Sequence, residues 1–552
     1  MRTPALALLA TAIALPASAQ TASPSAAKAD NLSATVRTLA SDPFEGRGPG
    51  TPGEARTVDY LVKRLKALGL QPGGEDGKWT QVVPMVHTQV DPAGKLKLRG
   101  AGDVALRQGD NINLTTVKDT DRVTLEDAPL VFVGYGTDAP EAGWDDYKGV
   151  DLHGKIAVFL VNDPDFAAKA GDDAAGRFGD RRMTYYGRWT YKFDQAAERG
   201  AAAALIIHDT DAAGYGWSTV SASNGENYDI VRGPDENVLP LQGWVRGDTA
   251  QQMFAAAGLD LAALRKKARS ADFSPVTLTG VSLDADLPVT TQHIRSRNVL
   301  GRIAGTTHPD ETVMYGAHWD AYGKGKPDAQ GRAIRPGAND DALGVAAVLE
   351  TARMFKQAAR PERSVVFALW TGEERGLLGS EYYAVHPVYP LETTVADLTF
   401  DILQTAGPAR NLVLIGKGNS TLDDVLAPVA AAQGRKIVPE TFSERGLFFR
   451  ADHFSVARRG VPSLLMMALG GPPDLEQGGL AAGQTWLDAY MECYHQTCDS
   501  WSADWNLKGA AEDVEAFYKV GHRLANSRAW PEWRPDFAFA EVRRESADAR
   551  RH

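Results

Sequence analysis

A chain of 552 residues, 43% hydrophobic and 23% charged, can bury a large core and has the length of two domains. Its formal net charge is −11, and no dense run of Lys and Arg occurs, which argues against a nucleic-acid partner.

Residues 1–19 read as a secretory signal: Arg2 supplies the positive start, Ala5 to Leu15 a short apolar run, and Ala17-Ser18-Ala19 a small-residue cleavage site. The run is too short to span a bilayer, and no other stretch reaches that length. An exported protein, periplasmic or secreted and without a membrane partner, is therefore expected. Residues 20–30, rich in Ala, Ser and Pro, have the composition of a disordered segment. A helix follows, with Thr51 and Glu54 as its capping box, Pro52 at its first position and Gly69 at its end. Val58, Leu61, Val62, Leu65 and Leu68 give it one buried face.

From Asp121 the texture changes. Residues 130–133, 156–161 and 203–207 read as short buried strands, with a helix over 193–199, and this region has no His and carboxylate cluster at ligand spacing. From Asn298 strands and helices alternate. Val313 to Ala317 forms a strand ending at His318, Ala342 to Phe355 a helix, Val365 to Trp370 a strand ending before Glu373, and Leu398 to Leu403 a strand holding Asp401. This order predicts an α/β fold, a mostly parallel sheet with helices on both faces. Ligands of such sheets gather beyond the carboxyl ends of the strands, where His318 and the Glu373-Glu374 pair are placed. Further on, the segment from Gly470 to Met491 reads as a cleft lid or an exposed loop, and the region of Trp530 and Trp533 as a packed tail.

Each acidic or imidazole residue here has a plain structural alternative. A strand-end His is often structural, and Asp340-Asp341 could cap the following helix. Adjacent carboxylates such as Glu373-Glu374 repel unless a cation or shared proton intervenes. Asp401, between Phe400 and Ile402, needs a partner if buried. Taken with His495, these residues are what a pair of zinc ions sharing one carboxylate requires. Cys493 and Cys498, the only two Cys, flank His495; in an exported chain they read as a disulfide that fixes its loop.

Gly316-Ala317-His318-Trp319-Asp320, Gly337-Ala338-Asn339-Asp340-Asp341, Trp370-Thr371-Gly372-Glu373-Glu374 and Cys493-Tyr494-His495 are similar to the motifs of the exported two-zinc aminopeptidases. That peptidase family also contains the transferrin-receptor ectodomain. Ser41-Asp42-Pro43-Phe44-Glu45-Gly46-Arg47 resembles the family's amino-terminal segment, and Tyr147 to Ile156 its inserted protease-associated domain. The resemblance implies residues 20–120 as the amino-terminal part of the peptidase domain, 121–285 as a β-rich protease-associated domain, and 286–552 as the catalytic domain. It implies Asp340 bridging two zinc ions, His318 and Asp401 completing one site, and Glu374 and His495 the other. Glu373 would be the general base, Asp320 would orient His318, and Tyr494 would help hold the developing oxyanion. Asp340–Asp341 is a candidate cis peptide, and Asp452-His453 resembles a segment near the substrate cleft without counting as a ligand pair. The implied activity is removal of amino-terminal residues from peptides by a zinc-bridged hydroxide. Carboxypeptidase or dipeptidase activity on the same core, a one-zinc glutaminyl cyclase, and a non-catalytic receptor-like binding protein are the alternatives.

Overall fold

The computed structural model describes residues 26–102, 104–233 and 236–550. The expected export signal over 1–19 lies outside them. Among the described residues no helix is long and apolar enough to cross a membrane.

Helix α1 (Ala29–Leu39) begins inside the stretch whose composition suggested disorder, because Leu32, Val36 and Leu39 share one face and are fully buried. In α2 (Pro52–Ala67) the Thr51 side chain caps the Gly53 N–H at 3.2 Å. The Glu54 carboxylate reaches back to the Gly50 N–H at 2.6 Å, one residue before the donor that a capping box would use.

The chain then lays down β1 (Thr80–Val90), β2 (Lys95–Arg99), β3 (Ile112–Thr115), β4 (Arg122–Phe132) and β5 (Ile156–Leu160). Helix α3 (Trp189–Glu198), β6 (Ala203–Ile207), β7 (Glu226–Ile230), β8 (Leu241–Val245) and the long β9 (Val276–Ile303) follow. The carboxyl-terminal part adds β10 (His308–His318), α4 (Gly344–Gln357), β11 (Arg363–Trp370), α5 (Leu378–Val385) and β12 (Thr394–Phe400). It ends with β13 (Ser463–Met466), α6 (Gly479–Cys493) and α7 (Lys508–Ala525).

Two sheets share β9. The first has the order β13–β12–β10–β11–β9–β1–β7. Its first four strands are parallel, as expected, while β9, β1 and β7 extend it antiparallel. Residues on both faces of β11 are buried, so its sequence RSVVFALW shows no polar alternation. Helices α1, α4 and α7 cover one face, packing Val348, Leu349 and Phe517 against Val313, Tyr315 and Phe367. On the other face Met314, Val366 and Trp370 meet Tyr383 of α5 and Val456.

The second sheet, β9–β4–β5–β6–β8–β3, uses the first half of β9. Alternate residues of its strands feed two separate cores: Phe132, Val158 and Leu205 on one side, Val131, Phe159 and Ile206 on the other. Strand β7 leaves this region and pairs with β1 at the edge of the first sheet. The segment read as a lid or exposed loop is instead largely helix, since α6 occupies 479–493 and buries Gly483, Leu487 and Tyr490. The aromatic tail is packed, with Trp533 buried beside Phe537 and Phe539.

Candidate metal centre

The parallel strands place their last residues along one edge. His318 ends β10, and its register partner on β11 is Trp370, three residues before Glu373. Asp401 lies just past the end of β12 rather than within a strand. The strand stops there because Ile402 turns to φ 55°, a left-handed conformation that β-branched residues rarely adopt. Its N–H donates to the Asp341 carboxylate at 3.3 Å, which holds the corner.

Asp340 sits in the irregular turn Ala338–Leu343 that leads into α4, and its peptide bond to Asp341 is cis, as expected. That turn is anchored from a distance. The Asp499 carboxylate accepts the N–H of Asn339 at 2.9 Å and of Asp340 at 3.1 Å, and its carbonyl accepts the N–H of Ala338 at 3.0 Å. Arg47, fully buried, donates to the carbonyls of Leu39, Trp319, Pro336 and Gly337, tying the loops that follow His318 and precede Asp340 together from beneath. His495 follows the end of α6 at φ 62°, inside the small loop closed by the Cys493–Cys498 disulfide. Its ring lies 3.6 Å from that of Tyr494 and 4.6 Å from that of Tyr322, centroid to centroid.

These side chains converge. His318 Nε2 is 3.1 Å from Asp340 Oδ1 and 3.9 Å from Asp401 Oδ1. His495 Nε2 is 3.2 Å from Asp340 Oδ2 and 3.2 Å from Glu374 Oε2. Two donor triads result, His318–Asp340–Asp401 and Asp340–Glu374–His495, with Asp340 common to both and the donor atoms of each within 4.8 Å of one another. Glu373 joins neither triad; its Oε2 stands 3.8 Å from His318 Nε2.

Asp320 stands beside His318 Nδ1, where it was expected to orient the imidazole. It is the backbone carbonyl of Asp320, at 3.1 Å, that faces His318 Nδ1, while the carboxylate is 3.7 Å away. The carboxylate instead accepts the Glu373 N–H at 3.1 Å and so fixes the turn carrying the glutamate pair. With Nδ1 facing a carbonyl, His318 turns its other nitrogen to the triad. Asp452 and His453 are buried nearby and belong to neither triad.

The charge balance of the cluster favours a cation. Burial opposes ionisation of Glu373 and Asp401, their carboxylate neighbours add to it, and the pKa of each is held well above the ordinary range. Burial also disfavours the His318 imidazolium, yet Glu373 and the aspartates around it raise its pKa well above normal. His495 is pushed up to about 10 by Glu374 and Asp340 against the effect of its burial. Two imidazoles are too few for this many buried carboxylates. His318 Nε2 and Asp401 Oδ1 are, moreover, buried with no hydrogen-bond partner among the described residues. Such orphaned atoms are rare in folded proteins, and a set of imidazole nitrogen and carboxylate oxygen suits zinc.

Every residue expected at the site is therefore at or beside it: His318, Asp340, Glu374, Asp401 and His495 in the triads, with Glu373, Asp320 and Tyr494 around them. Sequence reasoning passed over the supports, Asp499 and Arg47 buried and Tyr322 half-buried. Asp499 lies one residue beyond Cys498, Tyr322 two beyond Asp320, and Arg47 was visible only as part of a motif.

Residues 298–518 match the family described as Peptidase family M28. The chain is similar to a "Probable lipoprotein aminopeptidase LpqL" of Mycobacterium tuberculosis, 27% identical over 395 residues, 71% of this chain and 60% of that protein. An "Aminopeptidase" of Pseudomonas aeruginosa is 30% identical over 201 residues, 35% of each chain. Among solved structures, an aminopeptidase from Aneurinibacillus sp. strain AM-1 aligns over 90% of this chain and 94% of its own, at 22% identity and a TM-score of 0.48. The matched regions thus span less than two thirds of these two sequence relatives. The segment that matches Peptidase family M28 begins within β9, ends within α7 and carries both donor triads.

Proposed function

We propose that this protein is an exported zinc aminopeptidase that holds two zinc ions and removes residues from the free amino terminus of peptides. The observation that carries the reading is the pair of donor triads sharing Asp340, with an additional glutamate, Glu373, beside them at the carboxyl edge of the sheet. The names of the sequence relatives, both aminopeptidases, support the same activity. In this reading His318, Asp340 and Asp401 hold one ion, and Asp340, Glu374 and His495 the other. Zinc supplies Lewis-acid polarisation of the scissile carbonyl and lowers the pKa of water toward about 7.

The chain's own groups do the rest. Glu373, kept from ionising easily by its buried acidic surroundings, accepts the proton of the attacking water at its carboxylate and returns it to the leaving amine. Asp320 holds the backbone of Glu373 in place, and Asp499 does the same for Asp340. The Tyr494 hydroxyl, whose pKa burial and nearby carboxylates raise, stays protonated and donates to the oxyanion. Residues 121–285 act as a protease-associated domain; the separate cores of the second sheet support a unit of that kind.

Purified protein assayed against aminoacyl-nitroanilides and amino-terminally blocked peptides tests the proposal. Cleavage of free-amine substrates alone, abolished by a chelator and restored by zinc, is the expected result. Release of carboxyl-terminal residues from blocked peptides would move the assignment to carboxypeptidase, and cleavage confined to dipeptides to dipeptidase.

A further inference from the structure

Beside the metal centre lies a guanidinium with no anion to answer it. Arg375 follows Glu374 directly in the turn after β11, and its side chain makes no ion pair or hydrogen bond among the described residues. It is held by aromatic faces instead. Its guanidinium carbon lies 4.7 Å from the ring centroid of Tyr228, on β7, and 5.2 Å from that of Tyr322. Tyr322 in turn packs on the imidazole of His495, and Tyr228 stacks on His87 at 4.3 Å. A row of rings thus leads from a metal-site histidine to Arg375 and on to the edge of the sheet. Arg375 also lines a cleft of about 440 Å³ between the two parts of the molecule. The other arginines of that cleft are neutralised: Arg232 by Asp229, and Arg458 and Arg459 by Glu381.

A guanidinium held over ring faces keeps the donors along its edge free, and that edge matches a carboxylate in two-point geometry. The guanidinium is one ring away from His495, 5.2 Å from the Tyr322 centroid that itself lies 4.6 Å from the imidazole, a reach that two or three extended residues cover at about 3.5 Å each. We propose that Arg375, clamped by Tyr228 and Tyr322, is a specificity-determining residue that binds a carboxylate of the peptide substrate close to the scissile bond. The carboxylate comes from an acidic side chain or from the carboxyl terminus of a short peptide. This assignment rests on the peptidase reading above.

The test is a substrate series on the zinc-loaded full-length protein: Leu-Glu-amide against Leu-Gln-amide, Glu-nitroanilide against Gln-nitroanilide, and Leu-Gly against Leu-Gly-amide. At least one acidic member should exceed its neutral counterpart in kcat/KM by about tenfold or more, the worth of a charge-assisted pair. The first two pairs report an acidic side chain and the third a terminal carboxylate. In Arg375→Ala that ratio should fall toward one, and Arg375→Lys should keep part of it. A wild-type ratio near one in all three pairs overturns the subsite, as does a ratio that survives in Arg375→Ala. Absence of cleavage of every member defeats the peptidase reading itself, and the two failures are therefore distinct.

Discussion

Glu373 and Glu374 are adjacent in the chain, yet their carboxylates face different partners, Glu374 the imidazole of His495 at 3.2 Å and Glu373 that of His318 at 3.8 Å. One is a donor of a triad and the other is free to carry a proton. Glu373→Gln should therefore lower kcat by about 10²- to 10⁴-fold. Metal analysis should find its zinc content unchanged; loss of zinc would make Glu373 a ligand instead. Asp499 touches no substrate in this account, but it satisfies the buried N–H groups of Asn339 and Asp340. Asp499→Ala should cost roughly 2–4 kcal/mol of stability, since each orphaned donor carries its own desolvation penalty. Thermal unfolding reads that loss, and a zinc titration should show weaker binding as the Asp340 turn loosens; unchanged values in both would contradict the role. The triad residues were legible as a set: each alone has a structural use, but imidazoles and carboxylates gathered at the ends of several apolar runs fit one shared site. Asp499 and Arg47 were not, because a side chain that bonds backbone groups far along the chain leaves no periodic signal.

At the level of elements, the strands that carry the site could be read from their unbroken apolar runs, since burial on both faces removes the alternation of polar residues. The end of β12 could not, because the turn at Ile402 is set by the Asp341 carboxylate and not by a Gly or Pro. Helix α6 was hidden for a different reason: the glycines and prolines from Gly470 to Gly478 precede it, and their texture masks the run that begins at Gly479. The disulfide after α6 holds His495 in a backbone conformation that non-glycine residues rarely take. Replacing both Cys493 and Cys498 by Ser should cost about 2 kcal/mol of chain-entropy stabilisation. It should also weaken zinc binding about tenfold, as loss of a supporting contact does. Calorimetry and competitive zinc titration check the two effects; full retention of affinity would show that the loop does not need its covalent closure.

For the molecule as a whole, β9 is the feature that composition and periodicity hid. Its first half belongs to one sheet and its second half to the other, and its partners β1, β4 and β11 are distant in sequence. Pairing of that kind is decided by tertiary structure rather than by local pattern. Across the same junction, Arg458 pairs with both Asp194 of α3 and Glu381 of α5, and Tyr185 packs against Phe454 and Phe539. A shared strand and a shared aromatic cluster couple the two parts, so calorimetry should show one unfolding transition; two well-separated transitions would contradict the coupling. Chelation should lower the midpoint of that transition, because the buried carboxylates then lack their cations, and added zinc should restore it.

The central claim is that Asp340 is shared by two bound zinc ions. Anomalous diffraction at the zinc edge from crystals of the zinc-loaded protein tests it most directly. The account predicts two peaks, one within His318, Asp340 and Asp401 and the other within Asp340, Glu374 and His495. A single peak, or peaks at other residues, would contradict it.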